Sequence, residues 1–162
     1  MDVVGKFTRS RMMAGIRSKN TKPEMFVRRF LHYRGFRYVL HTPKLPGKPD
    51  ITLPKYRVTI FVHGCFWHQH IGCKYATSPS SNQEKWRAKF RENSERDERS
   101  VAALLKAGWR VIIIWECGLK GKTPDVRLEW LVNAITVPSS ELIEWPDLCG
   151  HSTNNVNSIL QS

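Results

Sequence analysis

The sequence predicts a single α/β domain in which helices flank a central mixed β-sheet. Its 162 residues are 41% apolar, which is enough for one domain with a buried core. Helix and strand patterns follow one another in the order helix, three strands, long helix, strand, helix, and this alternation is typical of the class. Residues 109–115 are apolar on both faces after Arg110, as expected of a central strand covered by helices on both sides.

The first predicted element is a basic N-terminal arm over residues 1–20. Its candidate DNA-contacting residues are Arg9, Arg11, Arg17 and Lys19, with apolar residues between them. Two interpretations stay open, a solvated amphipathic segment and an arm that lies on DNA phosphates.

A helix is predicted to begin at Thr21 and to end at Gly35. Thr21 is a favourable N-cap, Pro23 suits the first turn, and Glu24 completes a capping-box pattern. Apolar residues recur at helical spacing up to Gly35, a residue type that commonly ends helices. Glu24 is therefore interpreted first as a capping residue.

Three strand patterns follow this helix. The first covers residues 36–40, and a loop rich in proline and glycine separates it from a short second strand at residues 50–53. The third strand, residues 58–62, lies at hairpin distance from the second. We therefore expect the second and third strands to pair.

A long helix is predicted from Gln83 to Lys106, ended by Gly108. Its inner face consists of Trp86, Phe90, Asn93, Asp97, Val101 and Leu104. Because burying an amide and an acid costs several kcal/mol unless they are paired, we expect Asn93 and Asp97 to face a cleft beside residues 58–73.

The last predicted elements are the strand at residues 109–115 and a helix that starts at Pro124. From residue 138 the chain is polar, which predicts a loosely attached C-terminal tail over residues 138–162. The core domain is accordingly predicted to span residues 21–137.

Charge and hydropathy narrow the class of partner. The net charge is +12, and residues 1–40 carry ten basic against two acidic side chains, so a polyanion such as nucleic acid is the expected partner. No run reaches the roughly 20 apolar residues of a membrane span, and the N-terminus is too weakly apolar for a secretory signal. These features predict an intracellular protein, cytoplasmic in a bacterium.

Cysteine and histidine residues form a pattern typical of a metal site. Cys65, His70 and Cys73 lie within nine residues, and Cys117 ends the predicted central strand. Three thiolates and one imidazole would make a closed, structural zinc site. His63 and His68 compete with His70 for the nitrogen position, Cys149 is a weaker substitute ligand, and separate burial of the cysteines is the alternative.

A second pattern is typical of nucleases. Asp50 begins one strand of the predicted hairpin, where its carboxylate could hold Mg²⁺ together with the backbone carbonyl of Val62. His63 or His68 would then transfer the proton. By itself a Pro–Asp pair is also an ordinary turn.

The adjacent aromatic residues Phe66 and Trp67 allow two interpretations. They could wedge between base pairs, or they could pack in the core.

Several segments together resemble the very short patch repair endonuclease family. They are Pro46-Gly-Lys-Pro-Asp50, Phe61-Val-His-Gly-Cys-Phe-Trp-His68, Asn93-Ser-Glu-Arg-Asp97, Gly108-Trp-Arg-Val111 and Ile114-Trp-Glu-Cys117. The resemblance extends over residues 6–135, and the segment from His63 to His68 is its most specific part.

The resemblance implies a restriction-endonuclease-like core of the PD-(D/E)xK type and a nick in one DNA strand beside a T:G mismatch left by deamination of 5-methylcytosine. It implies Mg²⁺ at Asp50 and the Val62 carbonyl, His68 as general base, His63 at the scissile phosphate, and Glu24 and Asp97 as residues that order water or the histidines. It further implies structural zinc at Cys65, His70, Cys73 and Cys117, and entry of Phe66, Trp67 and Trp86 into the DNA. A MutL-type partner is also implied, and a location at the bacterial nucleoid is expected. Because a nick in one strand needs only one active site, we expect a monomer.

Two other function classes stay open on sequence alone. One is a nuclease of the same fold without mismatch preference, and the other is a non-catalytic zinc-containing module that binds DNA. The combination of Asp50 with His68 argues against the second class, because binding alone needs neither residue.

Overall fold

The computed structural model of the protein describes residues 19–121 and 124–148, with the side chains of residues 124 and 125 left out. Three of the predicted arm residues, Arg9, Arg11 and Arg17, lie outside these ranges, as does Cys149. The helices are α1 (Lys22–Tyr33), α2 (Gln83–Lys106), α3 (Pro124–Arg127) and α4 (Glu129–Thr136). The strands are β1 (Val39–Leu40), β2 (Ile51–Leu53), β3 (Val58–His63), β4 (Arg110–Trp115) and β5 (Leu142–Trp145).

The five strands form one mixed sheet in the order β1-β2-β3-β4-β5. Strands β1, β2 and β3 are antiparallel neighbours, and Ile51 pairs with Ile60 in the hairpin. Strands β3, β4 and β5 run parallel, and Val62 pairs with Ile114. The expected mixed α/β class and the β2–β3 pairing are confirmed.

Apolar residues on both faces of the sheet form two cores. One core joins α1 and α4 to the strand residues Ile60, Ile112 and Ile114, and the other joins α2 to Phe61 and Ile113. Strand β4 alternates its side chains between the two cores, and both sets are buried. Its continuous apolar run therefore reflects a central strand covered on both sides, as predicted.

Helix α1 begins as the sequence predicts. The Thr21 hydroxyl accepts a hydrogen bond from the Glu24 backbone N–H at 3.4 Å. The Glu24 carboxylate accepts a bond from the backbone N–H of Asn20 at 3.0 Å, one residue before the cap. After the helix, Gly35 adopts a φ of +80°, which glycine tolerates without strain.

Two expectations about strands are corrected. The first strand is limited to Val39–Leu40, since Phe36 packs in the core before the sheet begins. Residues 142–145, which were expected in a loose tail, form β5 and pair with β4. Ile143 and Trp145 are buried in the core, whereas Leu142 is exposed and Glu144 is half-buried.

The end of β5 is packed closely against the segment that follows β4. A Cβ atom added at Gly118 would collide with the Trp145 ring, so only glycine permits this approach. None of the helices in the described part of the chain is long and apolar enough to cross a membrane.

Candidate active site and metal centre

Three cysteines and one histidine converge beyond the carboxyl ends of β3 and β4. One ligand atom from each of Cys65, His70, Cys73 and Cys117 lies within 4.8 Å of the others. Cys65 and Cys117 follow neighbouring parallel strands, whose ends meet at one edge of the sheet. Backbone hydrogen bonds from His70 to Cys65 (3.1 Å) and from Cys73 to His70 (3.2 Å) fold the loop back on itself.

The His70 ring is oriented for a metal at Nδ1. Its Nε2 donates to the backbone carbonyl of Pro146 at 3.1 Å, while Nδ1 lies 3.8 Å from the Cys65 sulfur and 3.4 Å from the Cys117 sulfur. Such a carbonyl partner fixes the tautomer of metal-binding histidines. The ring also stacks on Trp115, with centroids 4.2 Å apart.

The protonation of these cysteines fits a cation site. Burial raises the pKa of the Cys65 thiol, and burial likewise raises the pKa of Cys117. The pKa of Cys73 is instead lowered, by hydrogen bonds that outweigh its desolvation. A bound metal ion would stabilise all three thiolates. The cluster can therefore hold a metal ion, and soft sulfur donors favour zinc over hard cations.

A separate pair of histidines lies beside this cluster. His63 ends β3, and its ring stacks on His68 with centroids 3.9 Å apart and planes 1° from parallel. His68 Nδ1 is hydrogen-bonded to Asp97 Oδ2 on α2 at 2.5 Å. Because an ionised carboxylate can only accept, Nδ1 donates the hydrogen bond, and Nε2 is the ring nitrogen that can accept a proton.

Burial and local charge set the ionisation of this group. Burial, followed by the charge of the adjacent His68, lowers the pKa of His63 to about 3. His63 is therefore neutral near pH 7, and its buried Nδ1 has no hydrogen-bond partner among the described residues. Burial acts to raise the pKa of Asp97, but the hydrogen bond to His68 and the neighbouring basic side chains lower it overall.

The stacked geometry favours proton transfer over metal binding. One ligand atom each of His63, His68 and Asp97 lies within 4.8 Å of the others, a distance that would suit a shared ion. However, the lone pairs of stacked imidazoles lie in parallel planes and do not converge on a common point. This group is better suited to hold and move a proton.

The third group of polar residues lies where α1 approaches the hairpin. Ligand atoms of Glu24, His41 and Asp50 lie within 4.8 Å of one another. Asp50 Oδ2 accepts a hydrogen bond from the Val62 backbone N–H at 2.8 Å, which fixes the carboxylate beside β3. Burial raises the pKa of Asp50 to about 7, and the nearby Glu24 raises it while Val62 opposes the shift.

Comparison with known proteins supports one family. A family model described as DNA mismatch endonuclease Vsr matches residues 1–74. The type II nicking enzyme V.XorIIP of Xanthomonas oryzae is 49% identical over 108 residues, which cover 67% of this chain and 79% of that protein. The DNA mismatch endonuclease Vsr of Escherichia coli is 40% identical over 121 residues, covering 75% of this chain and 77% of that protein. This chain belongs to the Vsr family.

A further relative of this Vsr-family chain is the type II nicking enzyme V.NmeAIP of Neisseria meningitidis. It is 46% identical over 121 residues, which cover 75% of this chain and 86% of that protein. The mixed α/β architecture described above fits a nuclease of the Vsr family.

Aromatic residues of this Vsr-family chain form a cluster where the loop after β3 packs against α2. Phe66 makes edge-on contacts with Trp67, Trp86 and Phe90 at centroid distances of 5.1 to 5.4 Å. Asn93 donates to the Trp67 backbone carbonyl at 3.0 Å. The polar residues within the apolar stripe of α2, Asn93 and Asp97, are thus both paired with the loop.

A cleft of about 510 Å³ adjoins the histidine pair, and His63, His68, Asp97, Trp115 and Glu144 are among its lining residues.

The structure brings together the predicted residues Asp50 and Val62, and separately His63, His68 and Asp97. It also places His70 with the three cysteines, whereas His68 pairs with Asp97. The predicted arm residue Lys19 is exposed.

Several contributors to these sites were missed in the sequence. Arg28 and His41 contact Glu24, Glu116 accepts a bond from the Cys65 backbone N–H at 3.1 Å, and Glu144 accepts from the Trp115 indole at 2.7 Å. Arg28 had a local signal, because it lies one helical turn after Glu24. The others act across the sheet, so sequence spacing does not reveal them.

Proposed function

We propose that this protein nicks one strand of duplex DNA beside a T:G mismatch left by deamination of 5-methylcytosine, in very short patch repair. One observation carries the proposal. The carboxylate of Asp50 is tied to Val62, and the next residue, His63, stacks on the His68–Asp97 pair. A carboxylate that can bind a hard cation thus contacts the end of β3, and a proton acceptor lies in the loop that follows the same strand.

Asp50 and the backbone carbonyl of Val62 would hold Mg²⁺. Both are oxygen donors, which Mg²⁺ prefers, and a buried carboxylate with a raised pKa gains from a cation partner. When bound, the ion supplies charge neutralisation at the phosphodiester and lowers the pKa of water.

His68 would act as the general base through its free Nε2. The bond from Nδ1 to Asp97 orients the ring and stabilises the imidazolium that forms when Nε2 accepts the proton. His63, kept neutral by burial, would contact the scissile phosphate, and Glu24 would order water near Asp50.

Zinc would bind Cys65, His70, Cys73 and Cys117 and take no part in the reaction. Four protein donors complete a tetrahedral shell and leave no open position for substrate. The ion would instead hold the loop that presents Phe66, Trp67 and His68.

The DNA contacts form the last part of the proposal. Phe66, Trp67 and Trp86 would enter the duplex, and the basic arm with Arg9, Arg11, Arg17 and Lys19 would neutralise phosphates. A restriction-endonuclease-like core, a monomer in the bacterial cytoplasm at the nucleoid, and recruitment by a MutL-type protein complete this hypothesis.

A nicking assay tests the proposal. Matched duplexes carrying T:G or C:G at one position are incubated with the zinc-loaded protein in Mg²⁺ or in EDTA. We expect nicking of the T:G duplex in Mg²⁺ only, and D50N and H68A should bind this duplex but not nick it. Equal cleavage of both duplexes would indicate a nuclease without mismatch preference. Binding without any cleavage would indicate a non-catalytic module.

A further inference from the structure

The buried residue Arg28 and the half-buried His41 have no part in the function proposed above, yet they contact the carboxylate next to Asp50. Arg28 Nη2 lies 2.9 Å from Glu24 Oε2 and 2.8 Å from His41 Nε2. Glu24 is 1% exposed and Arg28 is 7% exposed. A cation this well buried, one turn from a candidate site residue, is more than a surface ion pair.

Both hydrogens of Arg28 Nη2 have an acceptor. Arginine has no acceptor atom, so Nε2 of His41 accepts one hydrogen and Glu24 accepts the other. Glu24 Oε2 additionally accepts from the Asn20 backbone N–H at 3.0 Å. One oxygen of Glu24 is therefore held by two donors and is poorly available to a metal ion.

The backbone at His41 supports the same arrangement. His41 has a φ of +48°, a left-handed conformation that is uncommon for residues other than glycine. Its backbone N–H also donates to the Asp50 carbonyl at 3.1 Å. The strained residue that holds Arg28 is thus anchored directly to Asp50, across the β1–β2 hairpin.

We propose that Arg28, held by His41, is a positioning residue. Its contact with Glu24 keeps that carboxylate from binding the divalent cation and so directs the cation to Asp50. This inference rests on the metal site in the proposed function. Without the positive charge of Arg28, the carboxylates of Glu24 and Asp50 can bind one divalent cation together, as a chelate. Such a chelate attracts a divalent cation more strongly but draws it away from the Val62 carbonyl.

Removing the charge of Arg28 is therefore expected to raise the cation affinity and to lower the nicking rate. In R28Q, which keeps a hydrogen-bond donor and loses the charge, we expect Mn²⁺ to bind about tenfold tighter and the nicking rate to fall about tenfold or more. Mn²⁺ serves as the probe because it shares the oxygen preference of Mg²⁺. A residue that merely stabilised the fold would weaken both properties.

The affinity is measured by calorimetric titration of Mn²⁺ into the zinc-loaded full chain without DNA, and the rate by single-turnover nicking of a T:G duplex. R28K keeps the charge and should stay within about threefold of the parent affinity. R34Q is the matched control, since Arg34 is exposed at the end of the same helix and pairs with Glu129 instead. D50N should lose Mn²⁺ binding, which identifies the titrated site.

Unchanged or weaker Mn²⁺ binding by folded R28Q would overturn this inference. If R28Q does not fold, R28M decides, because it also removes the charge while keeping a long side chain: tighter Mn²⁺ binding supports the inference and unchanged or weaker binding overturns it. The two proposals fail separately. A parent protein that binds Mn²⁺ but never nicks contradicts the proposed function, while the affinity comparison still tests the role of Arg28.

Discussion

At the scale of single residues, His68 depends on Asp97 for its orientation. The carboxylate fixes the proton on Nδ1 and leaves Nε2 as the acceptor. We predict that D97N folds normally but nicks about 100-fold more slowly, because an amide can present either a donor or an acceptor to the ring. Single-turnover nicking measures the effect, with E92Q as control, since Glu92 is exposed on the same helix and does not line the cleft. Equal rates for D97N and the parent would remove Asp97 from the mechanism.

Asp50 makes cation binding depend on pH. Its pKa is raised from 3.8 to about 7 in the folded, metal-free protein, so below pH 7 a cation must displace a proton. We expect Mn²⁺ affinity to fall by up to about tenfold per pH unit below 7 and to level off above it. Titrations at pH 6, 7 and 8 measure this dependence, and the same affinity at all three values would contradict it.

The raised pKa of Asp50 also affects the free energy of unfolding of the metal-free protein. Between the unfolded pKa of 3.8 and the folded value of about 7, the native state binds more protons than the unfolded chain. The contribution of Asp50 to the free energy of unfolding therefore decreases as the pH rises through this window.

Residue type and spacing were enough to indicate Asp50, the histidines and the cysteine cluster. They could not indicate the role of His41, which depends on a left-handed backbone and on the approach of α1 to the hairpin. They indicated the capping role of Glu24, which is confirmed, but not that the same carboxylate also contacts Arg28 and His41.

At the scale of elements, the loop between β3 and α2 is held by its cysteines and by Asn93. We predict that C117S lowers zinc content well below the expected value of about one per chain and abolishes most nicking, since the loop positions His68. Zinc is measured by elemental analysis of the purified protein. C149S is the control and should keep its zinc. Full zinc content in C117S would show that Cys117 is not a ligand.

The central strand and the long helix were predictable because their patterns are long and continuous. Residues 83–106 were predicted as a helix and observed as one, and β4 differs from its prediction by one residue. Strand β5 was missed because it has only four residues and includes Glu144, so it reads as part of a polar segment. It forms because it pairs with β4 in the folded protein, and local sequence does not predict that pairing.

At the scale of the whole molecule, β5 completes both the sheet and the site. Ile143 and Trp145 are buried in the core, and the Pro146 carbonyl holds His70. We predict that a truncation ending at Pro138 lowers the melting temperature by about 10 °C or more and weakens zinc binding. A truncation ending at Leu148 is the control and should retain both properties. Thermal denaturation and zinc analysis measure them, and two equally stable truncations would contradict the prediction.

The position of Trp115 limits how this loop can be exchanged between proteins. Its indole stacks on His70, meets the edge of His63 at 5.2 Å and donates to Glu144. A graft of residues 63–73 alone would bring the histidines without the wall that separates and orients them. A transplantable unit must also carry residues 115–117 and the end of β5. Three segments distant in sequence thus form one engineering module.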